Sequence, residues 1–378
     1  MRWPKLSIQN VRPSRFHPPF CPWRNCKSHN GARPRFHAHG SYRTKASSGR
    51  IPRFRCTCCK HTCSRQTFST TYYLKKPHLL VAVASGLAAC SAHRQIARSA
   101  RCAKTSVTRM AERLGRHAIL FHARCRKRLA CIRESIVHDH FETRLGSKHQ
   151  ALGIGTAVGS DSWFVYDVDP APHKGSGRRP DRQGEAARES FSSTYVRSIK
   201  RTLSGLVSRI PDGETVTLVV DGRNDYRYAM RDECLARRIV LQVFPNPDRG
   251  PKGSPRSPEA IARDHAMFPA DQLHQLIRHS CSDHKGKSIA FGRRLESILG
   301  RAHLIAVWKN FIKARSERRP DPSTPAMKVG LATEPWIWER ILSRRLFPSR
   351  EAVSEIGLKL YAKRWTVGLP ELQARHAE

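Results

Sequence analysis

The first 111 residues of this 378-residue chain contain no aspartate or glutamate, although they contain 22 lysine and arginine residues. Such a segment cannot neutralise its charges with carboxylates of its own, so it requires anions from elsewhere. The first acidic residue is Glu112, and the chain from there onward carries 47 basic and 30 acidic side chains. Nucleic-acid phosphates suit this pattern best, because neutralising them releases condensed counterions.

Composition excludes several other classes of protein. A hydrophobic content of 39%, with 14 Phe, 8 Tyr and 7 Trp, argues against a wholly disordered basic chain. The most apolar run, residues 79–90, is interrupted by Ser85 and Gly86 and is shorter than the ~20 residues that a membrane span needs. The N-terminus lacks the apolar core of a signal peptide. We therefore expect a cytoplasmic protein of two or three domains without a membrane partner.

Four cysteines have the spacing of zinc ligands. Cys21 and Cys26 form a C-x4-C pair, and Cys56 and Cys59 form a C-x2-C pair about thirty residues later. Two short pairs on separate turns are typical of a zinc ribbon, and four thiolates leave no open position, so Zn²⁺ would be structural. Clustered cysteines in a chain without signs of secretion favour metal over disulfides. The alternative ligands nearby are Cys58, His61 and Cys63.

The segment after the cysteines is predicted to be helical. An apolar helix over 79–89 is followed by a helix capped by Ser91, a turn over 100–104, and a helix capped by Thr105 or Ser106. Two short helices joined by a tight turn in a basic segment predict a helix-turn-helix that reads the DNA major groove. Ordinary helices with solvated basic faces are the alternative. The candidate DNA contacts are Arg94, Lys104, Arg109 and Arg113.

From residue 131 the pattern changes to alternating strands and helices. Strands are predicted at 135–142, 151–158, 162–168, 215–222 and 239–244, and helices at 186–210, 226–237 and 289–314. This order predicts an α/β fold with an RNase H-like mixed sheet. Asp139 and Asp221 lie on two of these strands, where paired carboxylates could hold the Mg²⁺ or Mn²⁺ ions of phosphodiester chemistry. Aspartates at strand ends are otherwise common turn formers.

Motifs along most of the chain, roughly residues 21–347, resemble those of bacterial insertion-sequence transposases. These motifs are Cys21-Pro22, Arg53-Phe54-Arg55-Cys56, Thr67-Phe68-Ser69, Arg94-Gln95-Ile96-Ala97-Arg98, Phe291-Gly292-Arg293-Arg294, Trp308-Lys309-Asn310-Phe311, Ser316-Glu317-Arg318-Arg319 and Thr324-Pro325-Ala326-Met327. The resemblance implies a DDE-type catalytic core that cuts and joins double-stranded DNA at element ends. It also implies a homo-oligomer on paired ends and a location at the bacterial nucleoid.

The third acid of such a core is not obvious in this sequence. The family leads us to expect a glutamate just before Ile289, where this chain has Lys287 and Ser288. Glu296, two helical turns after Ile289, is the favoured candidate for the third catalytic acid, and Asp283 is the second. Glu296 could instead form surface ion pairs. Loss of the third acid would leave a decayed or repurposed DNA-binding protein without catalytic activity.

A basic helical region follows the predicted core, and Arg293 and Arg294 at its start are further candidate DNA contacts. Its other members are Arg301, Lys309, Lys313, Arg315, Arg318 and Arg319. The predicted organisation is a basic arm over 1–20, a zinc ribbon over 21–75, a helix-turn-helix over 76–130, the catalytic domain over 131–315 and a helical region over 316–378.

Overall fold

The computed structural model describes residues 16–31, 34–47, 49–146, 150–174, 184–247, 251, 255–285, 292–317 and 321–364. Most of the predicted basic arm, Lys287 at the expected third acid, and the basic residues Arg318 and Arg319 lie outside these ranges.

A small antiparallel sheet forms the front of the molecule. A one-turn helix α1 (Lys27–Asn30) precedes the strands β1 (Phe36–Tyr42), β2 (Ile51–Cys56) and β3 (Thr62–Ser64), which pair in that order. The apolar cluster of this part consists of a few aromatic side chains around Phe54 and Phe68. Such a cluster is too small to hold a fold by burial alone, so this part of the chain needs a further crosslink.

Three helices follow: α2 (Leu79–Ala88), α3 (His93–Ser99) and α4 (Lys104–Arg128). The predicted caps are wrong. The N-cap of α3 is Ala92, whose N–H donates to the side chain of Gln95 at 2.9 Å, so that Ser91 is not needed as a cap. Helix α4 begins at Lys104 without a side-chain cap, which places Thr105 and Ser106 inside its first turn.

The central sheet is mixed, and the α/β class is confirmed. Its strands are β4 (Ile136–Arg144), β5 (Gln150–Gly159), β6 (Val165–Lys174), β7 (Val216–Val220) and β8 (Ile239–Val243). Their order in the sheet is β6-β5-β4-β7-β8, with β4, β5 and β6 antiparallel and β4, β7 and β8 parallel.

Helices cover both faces of this sheet. They are α5 (Gly184–Val207), α6 (Asn224–Ala229), α7 (Glu233–Ala236), α8 (Pro258–Ser280) and α9 (Leu295–Phe311). The single helix predicted over 226–237 is two short helices, because Asp232 caps a new one by accepting from the Cys234 N–H. On one face His138 meets Tyr226 of α6, and on the other Val137 packs against Met267 of α8. Successive β4 side chains therefore point to opposite layers.

The last segment folds back onto the front of the molecule. It contains α10 (Pro325–Lys328), α11 (Trp338–Ile341) and α12 (Glu355–Tyr361). Thr70 donates to the Leu342 carbonyl at 2.6 Å, and the Arg345 N–H donates to the Phe68 carbonyl at 2.9 Å. No described helix is long and apolar enough to cross a bilayer.

Helix α4 is packed tightly against α9, which joins the helical segment to the sheet. A Cβ atom on Gly115 would lie 2.9 Å from the Cα of Gly300, so the two backbones touch where neither residue has a side chain. Further along the same interface the Nδ1 atoms of His122 and His303 are 3.0 Å apart. A continuous apolar core consequently runs from α2 through the sheet to α12.

Candidate functional site

Four sulfur atoms converge at the edge of the small sheet. Cys21 and Cys26 lie in the turn before α1, Cys56 ends β2, and Cys59 lies in the turn that follows. Cys21 Sγ is 3.5 Å from Cys59 Sγ, Cys26 Sγ is 3.7 Å from Cys56 Sγ, and all four atoms lie within 4.8 Å of one another. The predicted set of four ligands is therefore brought together.

The spacing of these sulfur atoms fits a metal such as zinc. Four thiolates at the usual Zn–S distance of about 2.3 Å form a tetrahedron with edges of about 3.8 Å. Burial raises the pKa of Cys56, but the backbone amides of Cys59 and Cys58 outweigh it and lower the pKa to about 7. Amides that point at sulfur favour the thiolate, which is the form that binds metal.

The three alternative ligands are placed elsewhere. Cys58 is exposed, His61 stacks on Trp23 with ring centroids 4.0 Å apart, and Cys63 is buried in the aromatic cluster with Phe54. The apolar surroundings raise the pKa of Cys63 to about 12, so this thiol stays protonated.

The second cluster forms where β4 and β7 run parallel. Ile136 pairs with Leu218 and Val137 with Val219. When this register is continued by two residues, Asp139 lies beside Asp221, which directly follows β7. Burial, and then the charge of Asp221, raise the pKa of Asp139 to about 7. Burial also raises the pKa of Asp221. Two carboxylates that repel each other in a buried, desolvated environment are a common feature of functional sites.

Helix α8 adds two groups that the sequence analysis did not select, Asp271 and His274. The ligand atoms of Asp139, Asp271 and His274 all lie within 4.8 Å of one another, a grouping that could hold a metal ion. His274 Nδ1 is 3.6 Å from Asp139 Oδ2, and its Nε2 is 2.7 Å from Thr156 Oγ1. A pair at positions i and i+3 of a helix shares one face, which is the signal that could have identified them.

The environment of His274 leaves Nδ1 free to act as a ligand. Burial lowers its pKa to about 3, so the ring is neutral at pH 7. Thr156 Oγ1 donates to the Asp139 carbonyl at 3.4 Å, and this arrangement lets His274 Nε2–H donate to Thr156. With its proton on Nε2, the ring directs the Nδ1 lone pair toward Asp139, as outer-shell partners of metal-binding histidines commonly do.

One arginine partly neutralises this cluster. Arg263 Nη1 lies 2.5 Å from Asp271 Oδ2, and its charge partly opposes the rise in the pKa values of Asp139 and Asp221. The charge of Arg223 also acts on Asp221, but Arg223 pairs with Asp225. The three carboxylates, when ionised, therefore keep an excess of negative charge that a divalent cation could balance.

The two candidates for the third acid lie outside this cluster. Glu296, in the first turn of α9, lines a narrow cleft with Arg116, Arg294 and Lys363. Asp283 Oδ1 is 3.1 Å from His284 Nδ1, and the two residues group with Cys281. Within the described residues, neither Glu296 nor Asp283 belongs to the group of ligand atoms around Asp139.

A basic cleft of about 660 Å³ opens at the turn between α3 and α4. It contains two of the predicted DNA contacts, Arg94 and Lys104. Its other basic residues are Lys76, Arg98 and Arg101. No acidic side chain lines this cleft among the described residues, so its positive charge faces solvent.

The remaining predicted contacts differ in accessibility. Arg109, Arg293 and Arg294 are exposed. Arg113 is half-buried and donates from Nη1 to the Thr70 carbonyl at 2.9 Å. Burial lowers the pKa of Arg113. This side chain therefore ties α4 to the segment that follows the small sheet.

Comparison of the sequence with models of known protein families gives no match, and comparison with curated proteins gives none either. The assignment of function consequently depends on the geometry of the two clusters and the basic cleft.

Proposed function

We propose that this protein is a DNA transposase of the DDE type, which binds the ends of an insertion element and catalyses metal-dependent strand cleavage and transfer. The observation that carries the proposal is an arrangement of three aspartates on one face of a mixed sheet: Asp139, Asp221 beside it, and Asp271, which groups with Asp139 and His274. The first two come from adjacent parallel strands, and the third comes from the helix that follows the last strand.

The strand order supports an RNase H-like fold for the core. An antiparallel meander of β4, β5 and β6 is extended by the parallel strands β7 and β8 on the other side of β4. Because β4 and β7 are neighbours in the sheet, this topology places the carboxylates of Asp139 and Asp221 side by side. Asp271 then replaces Glu296 as the proposed third acid.

The proposed chemistry uses the carboxylates as ligands for Mg²⁺ or Mn²⁺. Ligands at right angles around such an ion lie about 3 Å apart, since the bonds are about 2.1 Å, and the 3.6 Å between His274 Nδ1 and Asp139 Oδ2 approaches this. When bound, the metal would polarise the phosphodiester and activate water or a 3′-hydroxyl for in-line attack. Asp139 and Asp221 would hold and orient the site, and His274 would remain a neutral donor.

Asp271→Asn is expected to lower metal-dependent DNA cleavage at least tenfold while leaving DNA binding unchanged, because even outer-shell partners of metals commonly contribute 10–100-fold. The assay incubates the full chain with duplexes taken from DNA flanking its coding sequence, with Mn²⁺ or without any added divalent metal. Asp212→Asn, at an exposed turn position, is the matched control.

One alternative has an observation in its favour. Because Arg263 already pairs with Asp271, the cluster could be internally compensated in a DNA-binding protein without catalysis. Wild-type protein that binds these duplexes and never nicks them, in Mg²⁺ or Mn²⁺, would establish that alternative and reject the transposase.

DNA recognition is proposed for the basic cleft, with α3 and α4 acting as a helix-turn-helix. The two helices are separated by residues 100–103 only, and Lys104 opens the second helix. A helix N-terminus bearing exposed cations suits contact with phosphates beside a groove. Oligomerisation on paired ends in a bacterial nucleoid remains part of the same proposal.

Arg94→Ala and Arg98→Ala are each expected to weaken duplex binding and to reduce the slope of log K against log salt by about 0.9, the loss of one phosphate contact. Fluorescence anisotropy at several salt concentrations measures both quantities. Arg128→Ala is the control, because it lies 24 residues after Lys104 on the same helix, about 36 Å away. An equal effect of all three substitutions would show that net charge, and not the cleft, determines binding.

A further inference from the structure

A second cationic cluster lies beside the carboxylates, at the turn between β5 and β6. Trp163 is at its centre, with the Arg315 guanidinium 4.7 Å from the ring centroid and Lys309 Nζ 5.6 Å from it. Phe268 of α8, which is 46% exposed, lies 5.4 Å from the same ring. We call these four residues the Trp163 cluster.

The cations of this cluster lack carboxylate partners. Lys309 is buried, and its Nζ donates to Gln272 Oε1 at 3.2 Å. Arg315 donates from Nη1 to the Asp161 carbonyl at 2.8 Å. In the described part of the chain, no acidic side chain forms an ion pair with either residue. Burial, and then the charges of Lys313 and Arg315, lower the pKa of Lys309 to about 7.

The turn that presents Trp163 is held rigidly in an unfavourable conformation. Trp163 has φ +58°, which is rare for a bulky residue and persists only where the surroundings impose it. Glu134 imposes it, since Oε2 accepts the N–H groups of Asp161 and Ser162 at 2.9 and 2.8 Å. Strain of this kind is concentrated at binding and catalytic sites.

Two elements, α8 and the paired strands β4 and β5, connect the Trp163 cluster to the carboxylates. Gln272, the partner of Lys309, directly follows Asp271 on α8. Gly159, where β5 ends, pairs with Ile136, which is three residues before Asp139 and thus about 10 Å from it along the strand.

We propose that the Trp163 cluster binds a backbone phosphate of the DNA strand that enters the carboxylate site, a role that rests on the proposed function. Arg315 is the contacting group: its guanidinium lies over the Trp163 ring and is held through Nη1 by the Asp161 carbonyl, and a guanidinium binds phosphate through charge-assisted hydrogen bonds. Lys309 is a positioning residue, which lies close to the Trp163 ring and adds positive charge without reaching the surface.

The test measures binding of an oligonucleotide duplex by fluorescence anisotropy in buffer without Mg²⁺ or Mn²⁺, where no cleavage occurs and the zinc is retained. Arg315→Gln is expected to weaken binding about tenfold and to lower the salt slope by about 0.9. Lys309→Met is expected to weaken binding several-fold and yet to raise the melting temperature, because it removes a buried cation that has no counter-charge. Lys359→Met, an exposed residue paired with Glu355, makes the same change in net charge and should leave affinity within twofold.

Two results would overturn the phosphate site. One is unchanged affinity for Arg315→Gln in a folded protein. The other combines two observations: inorganic phosphate alone raises the melting temperature of wild type but not of Lys309→Met, and neither substitution changes the affinity for DNA. That result would identify a site for free anions. If affinity falls as expected but wild type never cleaves, the phosphate site stands and the transposase proposal fails.

Discussion

Asp139→Asn is expected to abolish metal-dependent DNA cleavage and, in the absence of Mg²⁺ and Mn²⁺, to make the folded protein more stable above pH 7. The loss of cleavage should exceed about 100-fold, because this residue would be a direct ligand and even outer-shell partners contribute 10–100-fold. The gain in stability arises because asparagine cannot carry the charge that burial and Asp221 disfavour.

The sign of the pH dependence follows from the raised pKa. Below about pH 4 the Asp139 carboxyl is protonated in both the folded and the unfolded chain, so it contributes no pH-dependent stability term. Between pH 4 and 7 the unfolded chain loses this proton while the folded chain keeps it, so the free energy of unfolding falls as pH rises. A shift from 3.8 to about 7 corresponds to about 4 kcal/mol above pH 7, at 1.36 kcal/mol per unit.

Chemical denaturation at pH 4.5 and pH 8, in buffer without Mg²⁺ or Mn²⁺, measures this difference. Asp139→Asn should be several kcal/mol more stable than wild type at pH 8 and nearly equal to it at pH 4.5. Mn²⁺ should reverse the order by stabilising wild type alone. Asp212→Asn, which changes an exposed carboxyl, is the control. A stability gain that is the same at both pH values would contradict the raised pKa, and retained cleavage would exclude Asp139 from catalysis.

The sequence was sufficient to predict the strands that carry Asp139 and Asp221, because each lies in or directly after a short apolar run whose length suits a buried strand. It did not predict Asp271, because which face of an amphipathic helix meets the sheet depends on tertiary packing. Glu296 was selected because it lies two helical turns after Ile289, next to which the family leads us to expect the acid. Distance along the chain does not reveal that the start of α9 packs on α4, where Gly115 and Gly300 touch.

The cysteine spacing was sufficient to predict which four sulfur atoms converge, because two short pairs allow few arrangements. The turn after β2 places Cys59, and not Cys58, in the cluster. In this turn Lys60 adopts φ +60° and its N–H donates to the Cys56 carbonyl.

Arg113 was predicted as a DNA contact because a basic residue on a basic helix looks the same in sequence whether it faces solvent or a carbonyl. Its bond to Thr70 joins residues 43 positions apart, which no local pattern encodes.

Removal of zinc is expected to unfold the front of the molecule. The apolar cluster around Phe54 is small, so a metal held by the four cysteines would supply much of the stability there, since structural zinc contributes on the order of 10 kcal/mol in zinc-finger peptides. Unfolding would also release the last segment, because Ser349 Oγ lies 2.9 Å from His29 Nε2 and Arg350 donates to the His29 carbonyl.

Adjacent cysteines provide the decisive comparison. Cys59→Ser should lower the zinc content from one ion per chain to near zero and open residues 16–75 to proteolysis, and Cys58→Ser, at an exposed position, should change neither. Mass spectrometry of the metal and limited digestion measure the two effects. Zinc retained in Cys59→Ser but lost in Cys63→Ser would transfer the fourth ligand to Cys63. The Asp139 cluster holds oxygen and nitrogen donors only, so its metal and the zinc would have separate sites. Chelation that removes zinc should therefore abolish DNA binding through the front of the chain. Omission of Mn²⁺ should abolish cleavage alone.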